Sequence, residues 1–409
     1  MRYFKINPII IVAIVIVIVP FSNLLHYLLP VNNLFGKSAW VVVPTLVLVV
    51  IYFYKVVNTN IFPRITMPDF AMIIFVVVSL LIVLIRNAFY GEGISFISNR
   101  YIATSLIYLL LAIKLLDNNK ALLFIALSIV AQGFLLSLGQ VINFHFFPTF
   151  ELASDDSGII GFTTDGIQSR SRLFSASISA NLILCAMFVM FTMYKTNLLA
   201  INYKTYWILN LIMIYAISLG GSRYPFLIAL ILIGLSLYYF EFLKSSLFLV
   251  TIFITILLIQ NIIADFGFAS TFRFDQDYGG RSDKFLLPIQ LLGESIRNFI
   301  IGCSSYQIAN SFSTSGVGIS DNSYLALALS FGVPFAVAYF TTIFRIMRKR
   351  IFDIISILFV IYLGVGFGIT NCIYWESWMC ISMFSIVVIS GLNQIKTDGS
   401  NNSCLDKLI

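Results

Sequence analysis

MRYFKINPIIIVAIVIVIVP, residues 1–20, places two basic side chains before a run that is almost wholly apolar. The run is similar to a signal peptide, but no small-x-small cleavage site follows it, so it predicts a first membrane helix. Further apolar runs follow, and the chain of 409 residues is 59% hydrophobic and only 11% charged. A soluble protein of this length could not bury so much apolar surface. The sequence therefore predicts an all-α polytopic membrane protein.

Twelve apolar segments come close to the roughly 20 residues that a membrane-spanning helix requires. Their approximate bounds are 8–30, 38–54, 69–85, 101–116, 121–147, 175–194, 206–220, 224–243, 246–264, 323–344, 352–373 and 377–394. No internal repeat relates them, in contrast to the repeat-built transporters. We therefore expect one integral membrane domain over residues 1–409.

Lysine and arginine positions predict the orientation of these spans. With the amino terminus in the cytoplasm, 15 basic residues fall inside and 10 outside, and the tail at 395–409 is cytoplasmic. The two longest polar segments, 148–173 and 265–322, then become large extracytoplasmic loops. Because long loops usually carry function, the chemistry of the protein is expected on the outer face.

The kind of basic residue differs between the two faces. The inner face has 10 lysines and 5 arginines, whereas the outer face has 2 lysines and 8 arginines. Topology alone gives no reason to separate lysine from arginine. The planar guanidinium of arginine binds phosphate and carboxylate bidentately, whereas the lysine ammonium acts as a point charge. The outer face is therefore predicted to bind an anion.

Two outer arginines adjoin predicted helix starts. In SLGGSRYPF, residues 218–226, Arg223 follows a Gly-Gly-Ser turn and precedes an apolar run. In GGRSDKFLLPIQLLGESIRNFI, residues 279–300, Arg281 precedes an expected amphipathic helix that Ser282 would cap. Free N–H groups at a helix start favour phosphate, so both arginines are candidates for binding one. The alternatives are a surface anchor at Arg223 and an ordinary capped helix beside Arg281.

The expected amphipathic helix of the second outer loop carries one apolar stripe. Its members recur at spacings of four, three, four and three along the sequence. They are Phe285, Ile289, Leu292, Ile296 and Phe299. Pro288 counts against a straight helix and would kink it or delay its start. Such a helix can lie along the membrane surface or cover a cavity.

Further outer residues are candidates for binding substrate, each with a structural alternative. Asp321 and Asn322 either cap the following helix or form a polar pair that orients a hydroxyl of the substrate or takes its proton. Arg86 and Arg100 either bind an anion or extend their charged ends to the membrane interface. Two more arginines end the first long outer loop: Arg170 and Arg172.

Composition argues against several other kinds of site. The five cysteines show no CxxC spacing, and three of them fall in or beside apolar segments, which argues against a disulfide framework. Two histidines without a ligand-like cluster argue against a protein-built zinc site, and no cofactor is expected. The net charge of +7 is spread singly between apolar segments, a pattern that fits membrane topology rather than a nucleic-acid surface.

Three motifs together resemble the O-antigen polymerases and the related polymerases and ligases of bacterial surface polysaccharides. SLGGSRYPFLIALILIGL, residues 218–235, is similar to the Ser-Arg motif that opens a membrane helix in that superfamily. GGRSDKFLLPIQLLGESIRNFIIGCSSY, residues 279–306, resembles its large outer loop with an arginine, a helix and a following glycine. DNSYLALALSFGVPF, residues 321–335, resembles its junction between loop and helix.

The resemblance implies metal-independent glycosyl transfer at the outer side of the bacterial cytoplasmic (inner) membrane, facing the periplasm or exterior. Donor and acceptor would be oligosaccharides on polyprenyl pyrophosphate, and the growing glycan would move to the incoming repeat unit. Membrane lipids and a chain-length regulator in the membrane are further expected partners. Arg223, Arg281 and Asp321 would be catalytic, the arginines at the pyrophosphate and Asp321 as a base or hydroxyl-orienting group. The expected substrate-binding residues are Arg100, Arg172, Arg86, Arg170, Asn322 and Tyr324.

Two alternatives to polymerisation of O-antigen or capsule stay open. An O-antigen ligase would move finished glycan onto a lipid core, and that branch typically carries a histidine in the second large outer loop. Residues 265–322 contain no histidine, which favours the polymerase. A lipid-linked oligosaccharide flippase would be expected to place charged residues within its spans along a central path, whereas most charges here lie at the outer ends.

Overall fold

A computed structural model describes residues 7–21, 25, 39–57, 66–91, 97–146, 162–165, 168–171, 176–199, 201–219, 223–239, 281–314, 322–351, 353–369 and 376–399. Over these ranges the chain is helical apart from one short hairpin. The helical class predicted from the apolar runs is therefore confirmed. Helices are the expected outcome for such runs, because each backbone N–H and C=O is satisfied within the segment itself.

The described helices are numbered here in chain order. They are α1 (Pro8–Ile18), α2 (Ala39–Val57), α3 (Met67–Tyr90), α4 (Ile97–Leu115), α5 (Asn119–Phe146), α6 (Ala176–Lys195), α7 (Tyr203–Leu219), α8 (Arg223–Tyr239), α9 (Arg281–Gly293), α10 (Ile296–Ile301), α11 (Ser305–Thr314), α12 (Ser323–Phe331), α13 (Val333–Arg348), α14 (Ile354–Ile369) and α15 (Glu376–Gly399). The hairpin pairs β1 (Phe162–Asp165) with β2 (Gln168–Ser171) in antiparallel register.

Several of these helices suit a membrane. By length and composition, three described helices can cross one: Met67–Tyr90, Asn119–Ile142 and Glu376–Ile395. Shorter apolar helices occupy Pro8–Phe21, Val42–Val57, Ser179–Lys195, Tyr224–Tyr239 and Ile354–Ile369. The chain thus has the helices of a membrane protein, and its twelve predicted spans stay a prediction.

The chain divides into two compact units, each with its own packing. The first unit comprises Met1–Pro44, Leu115–Phe274 and Val388–Ile409, and the second comprises Thr45–Lys114 and Asp275–Val387. In the first unit, α5 packs against α1, α6 and α7. A Cβ on Gly133 of α5 would lie only 2.1 Å from the Ala186 Cβ of α6, so these two helices approach closely through small residues, as membrane helices commonly do.

A buried carboxylate joins three helices of the second unit. Asp69 of α3 is only 2% exposed. It accepts hydrogen bonds from the Tyr52 hydroxyl of α2 at 2.6 Å and from the Lys114 ammonium of α4 at 2.8 Å. It also accepts from the hydroxyl and the backbone N–H of Thr66 at the start of α3. A buried charge is tolerated only when it is paired and hydrogen-bonded in this way, so Asp69 ties α2, α3 and α4 together.

The predicted span 323–344 is two helices, so the prediction of one continuous helix is wrong. α12 ends at Phe331, α13 begins at Val333, and Gly332 between them has a φ of +89°. Pro334 follows in the first turn of α13, where its missing N–H costs nothing. A Cβ on Gly332 would lie 2.0 Å from the carbonyl oxygen of Ile300, so only glycine fits. Backbone packing at this point, rather than hydropathy, divides the span.

The predicted stripe helix of the second outer loop is also divided. α9 continues through Pro288 and ends at Gly293, and Ser295 then caps α10 by accepting a hydrogen bond from the Asn298 N–H at 3.1 Å. The prediction of Ser282 as the cap of this helix is wrong, because α9 already begins at Arg281. Except for Leu292, the predicted stripe is exposed, which suits contact with lipid.

We expect Gly332→Ala to lower the apparent melting temperature of the detergent-purified protein by several degrees. The added Cβ would collide with the Ile300 carbonyl, and alanine would also have to adopt a positive φ, which together cost about 2 kcal/mol or more. Gly293→Ala is the matched control, because a Cβ there meets no atom within 4 Å. A Gly332→Ala protein that melts with the wild type would contradict the close approach.

Candidate functional site

The predicted site residues differ in how much of them the structure describes. Arg223 and Arg281 are each the first residue of a helix, whereas both were predicted to precede one, and their side chains lie outside the described residues. Arg170 lies in β2, and its side chain is likewise outside the described part. Arg172 and Asp321 lie wholly outside it. The predicted residues with described side chains all belong to the second unit: Arg86, Arg100, Asn322 and Tyr324.

An ion pair joins Arg100 near the start of α4 to Glu376 at the start of α15. The guanidinium Nε of Arg100 lies 2.9 Å from Oε1 of Glu376. The Glu376 side chain is only 3% exposed, whereas the Arg100 side chain is 36% exposed. The carboxylate is thus a buried anchor for a cation that reaches the surface.

Two further contacts orient the Arg100 guanidinium. Nη2 donates a hydrogen bond to the Tyr101 hydroxyl at 3.0 Å, and Cζ lies 4.8 Å from the centroid of the Tyr101 ring. A cation over an aromatic face is held electrostatically. Among the described residues, Nη1 makes no contact that would compete with a ligand. Arg100 is therefore an oriented, half-exposed guanidinium whose Nη1 meets no partner among the described residues.

Sequence reasoning missed Glu376. It stands at the edge of the last predicted span, in YWESWMCISMF, residues 374–384. A lone carboxylate at the edge of an apolar run needs a partner, and this was the signal that could have identified it. The predicted alternation of spans puts residue 376 and Arg100 at the same side of the membrane. The ion pair agrees with that alternation.

Arg86 of α3 has a structural contact at the break between α12 and α13. Its Nη1 donates a hydrogen bond to the backbone oxygen of Ser330 at 2.6 Å. Carbonyls in the last turn of a helix lack intrahelical partners, and a cation at a helix carboxyl end also interacts favourably with the helix dipole. Arg86 thus stabilises the end of α12, and its predicted role in substrate binding stays a prediction.

The end of α3 also contacts α10 and the residues that follow it, in the predicted second outer loop. The Tyr90 hydroxyl lies 2.9 Å from Oδ1 of Asn298 and 3.3 Å from the carbonyl oxygen of Gly302, with both oxygens placed to accept its proton. The Arg297 guanidinium lies 5.4 Å from the centroid of the Phe89 ring and 5.5 Å from that of the Tyr90 ring. These contacts join the predicted third span to α10.

Asn322 and Tyr324 both donate hydrogen bonds to backbone carbonyls of α14. The side-chain oxygen of Asn322 accepts from the Leu325 N–H at 3.0 Å, and its amide donates to the Gly368 carbonyl at 2.9 Å. Asn322 is therefore the cap of α12, the structural alternative named for it above. The Tyr324 hydroxyl donates to the Gly364 carbonyl of α14 at 2.8 Å. Both residues position α12 against α14, and substrate contacts for them stay a prediction.

Cys303 follows α10 and has no means of acting as a thiolate. It is fully buried, and burial raises the pKa of its thiol to about 12, helped by the negative charge of Glu294 and opposed by Arg86. Only a thiolate is a good nucleophile, so Cys303 is inert near neutral pH. Among the described residues, no group of three or more histidine, cysteine or acidic side chains could hold a metal ion.

We expect Cys303 to resist N-ethylmaleimide in the folded protein near neutral pH and to react after denaturation in detergent and urea. Burial keeps the thiol protonated and out of reach, and unfolding returns its pKa to the ordinary range. Peptide-level mass spectrometry of labelled protein measures this. Rapid labelling of native protein would contradict the packing around Gly302 and Cys303.

No family model matches this chain, and neither a curated protein nor a solved structure does so. Function therefore has to be argued from the arginines, the buried carboxylate that holds one of them, and the three motifs quoted above.

Proposed function

We propose that this protein polymerises lipid-linked oligosaccharide repeat units by transferring the growing glycan from polyprenyl pyrophosphate to the incoming unit. The observation that carries the proposal is the pairing of half-exposed Arg100 with buried Glu376. A cation held rigidly and open on one side is suited to a phosphate group. The excess of arginine over lysine on the predicted outer face supports an anionic ligand there.

The proposed reaction breaks the bond between the anomeric carbon of the growing glycan and its pyrophosphate oxygen. A hydroxyl oxygen of the incoming unit attacks that carbon, and polyprenyl pyrophosphate leaves with the bonding electron pair. The hydroxyl proton passes to a base, for which Asp321 is the proposed residue. Negative charge develops on the leaving oxygen, so fixed cations near it lower the barrier. Arg100 is proposed to bind the pyrophosphate, and Arg223 and Arg281 stay the predicted catalytic arginines.

Glu376 is proposed as a positioning residue for Arg100. A free arginine side chain loses rotamer entropy when it binds a ligand, and a guanidinium already held in place avoids most of that cost. Tyr101 contributes in the same way by its hydroxyl and ring contacts. Replacing Glu376 by glutamine keeps the shape of the side chain but removes the charge that anchors the guanidinium.

The proposal includes a bacterial cytoplasmic (inner) membrane location, twelve spans, and a site that faces the periplasm or exterior. Two contacts support the alternation of spans on which this depends. Arg100 and Glu376 both fall at the predicted outer side, and Asp69 and Lys114 both fall at the predicted inner side. A chain-length regulator in the membrane remains a proposed partner.

In a host strain that lacks the gene, we expect Arg100→Ala to cut the rate of glycan lengthening roughly 100-fold, as loss of one preorganised donor typically does. Glu376→Gln should lower the rate less. Arg100→Lys should not retain the wild-type rate, because lysine cannot form the bidentate contact. Arg223→Ala and Arg281→Ala should leave only single-repeat glycan at the surface. Gel laddering of surface glycan at matched protein levels measures all five variants.

Arg297→Ala is the matched control for these variants. It also removes an arginine from the predicted outer face, but one that contacts only aromatic rings at the end of α3 in the described part of the chain. Normal ladders are expected from it. Normal ladders from Arg100→Ala would refute the role of Arg100, and loss of surface glycan together with single repeats trapped inside would point to a flippase.

A further inference from the structure

A cleft of about 870 Å³ follows one face of α13 along its whole length. The lining residues Val333, Ala336, Phe340 and Phe344 recur every three or four positions, which places them on one side of the helix. A helix of 16 residues is about 24 Å long. The hydrocarbon layer of one bilayer leaflet is about 15 Å thick, so the cleft is long enough for a lipid chain.

The walls of the cleft are apolar, and one side is open. Leu325 and Ala328 of α12 and Leu292 of α9 form the wall opposite α13. Tyr324 contributes its ring, while its hydroxyl bonds to the Gly364 carbonyl. Val337 and Thr341 also line the cleft and are exposed, so the opening lies beside this stretch of α13. An apolar channel that opens sideways suits a chain that enters from the membrane rather than a soluble ligand.

Two arginines close one end of this channel. Arg345 and Arg348 line the cleft in the last turn of α13, and both are exposed. Lys349 and Arg350 follow directly in the sequence. Within the described part of the chain, no carboxylate forms an ion pair with Arg345 or Arg348. The apolar channel therefore ends at two cations whose charge is not neutralised by the described residues.

We propose that this cleft binds an anionic phospholipid, with one acyl chain along α13 and the phosphate between Arg345 and Arg348. Charge complementarity selects the occupant, because basic pockets at the end of a membrane helix bind anionic head groups. The inference is independent of the proposed glycan polymerisation. It requires only that the carboxyl-terminal end of α13 lies near a membrane surface.

The position of the arginines argues against a polyprenyl-linked substrate as the occupant. Arg345 lies 13 residues beyond Gly332, which is about 20 Å along the helix. Arg86, which bonds to Ser330 beside that break, is a predicted outer residue, whereas Arg345 and Arg348 are predicted inner ones. A substrate with its pyrophosphate at the outer arginines could not also place it at Arg345. The occupant is therefore a lipid that supports the fold.

Native mass spectrometry of the purified full-length protein tests this proposal. Phosphatidylglycerol should bind at one site, with an affinity roughly tenfold higher than that of phosphatidylcholine of the same chain length. Arg345→Gln/Arg348→Gln should abolish the preference. Lys349→Gln is the matched control, because it removes a neighbouring charge that does not line the cleft, and it should retain the preference.

The channel itself is tested by Val337→Trp, which should fill the opening and weaken the binding of both lipids. Because Val337 is exposed, folding should tolerate the larger side chain. Equal binding of the two lipids to the wild type would overturn the proposal, as would equal losses from Lys349→Gln and the double variant. A preference for polyprenyl phosphate over phosphatidylglycerol would overturn the choice of occupant.

Discussion

A charge or an unpaired backbone group in an apolar interior must find a partner, and the second unit is organised by three such pairings. Glu376 holds Arg100 and so joins α15 to α4. Asp69 accepts from Tyr52 and Lys114 and so joins α3 to α2 and α4. Arg86 satisfies the end of α12, where the helix breaks. Apolar packing alone is not directional, so these polar contacts specify which helices are neighbours and in which register.

Arginines stand in three different environments among the described residues of this protein. Arg86 is engaged with backbone, and its contact explains why a helix can break inside an apolar segment. Arg100 is anchored by a carboxylate but keeps part of its guanidinium exposed, the arrangement expected for a side chain that binds a ligand. Arg345 and Arg348 stand at the end of an apolar cleft, the arrangement expected for a lipid head group. Burial and partners, rather than residue type, distinguish these roles.

How much could be predicted from the sequence depended on whether the signal was local. Apolar runs predicted the helical class, and the Asp-Asn-Ser sequence indicated capping as one of two alternatives for Asn322, which does cap α12. The break at Gly332 was missed because its cause is the carbonyl of Ile300, which is distant in sequence and close only in the fold. Glu376 was missed for the same reason, since its partner Arg100 is far away along the chain. Pro288 was expected to kink the helix or to delay its start. The start is not delayed, because α9 begins at Arg281 and continues through Pro288 to Gly293, and the kink stays a prediction.

The most direct test of glycan polymerisation is a balance of products with the purified protein in lipid vesicles. Supplied with one lipid-linked repeat unit and a metal chelator, it should release one polyprenyl pyrophosphate for each new glycosidic bond, with chains that lengthen over time. That stoichiometry follows from attack of a sugar hydroxyl with pyrophosphate as the leaving group. The account would be contradicted if repeat units crossed the vesicle membrane without lengthening. It would also be contradicted if chains lengthened without release of polyprenyl pyrophosphate.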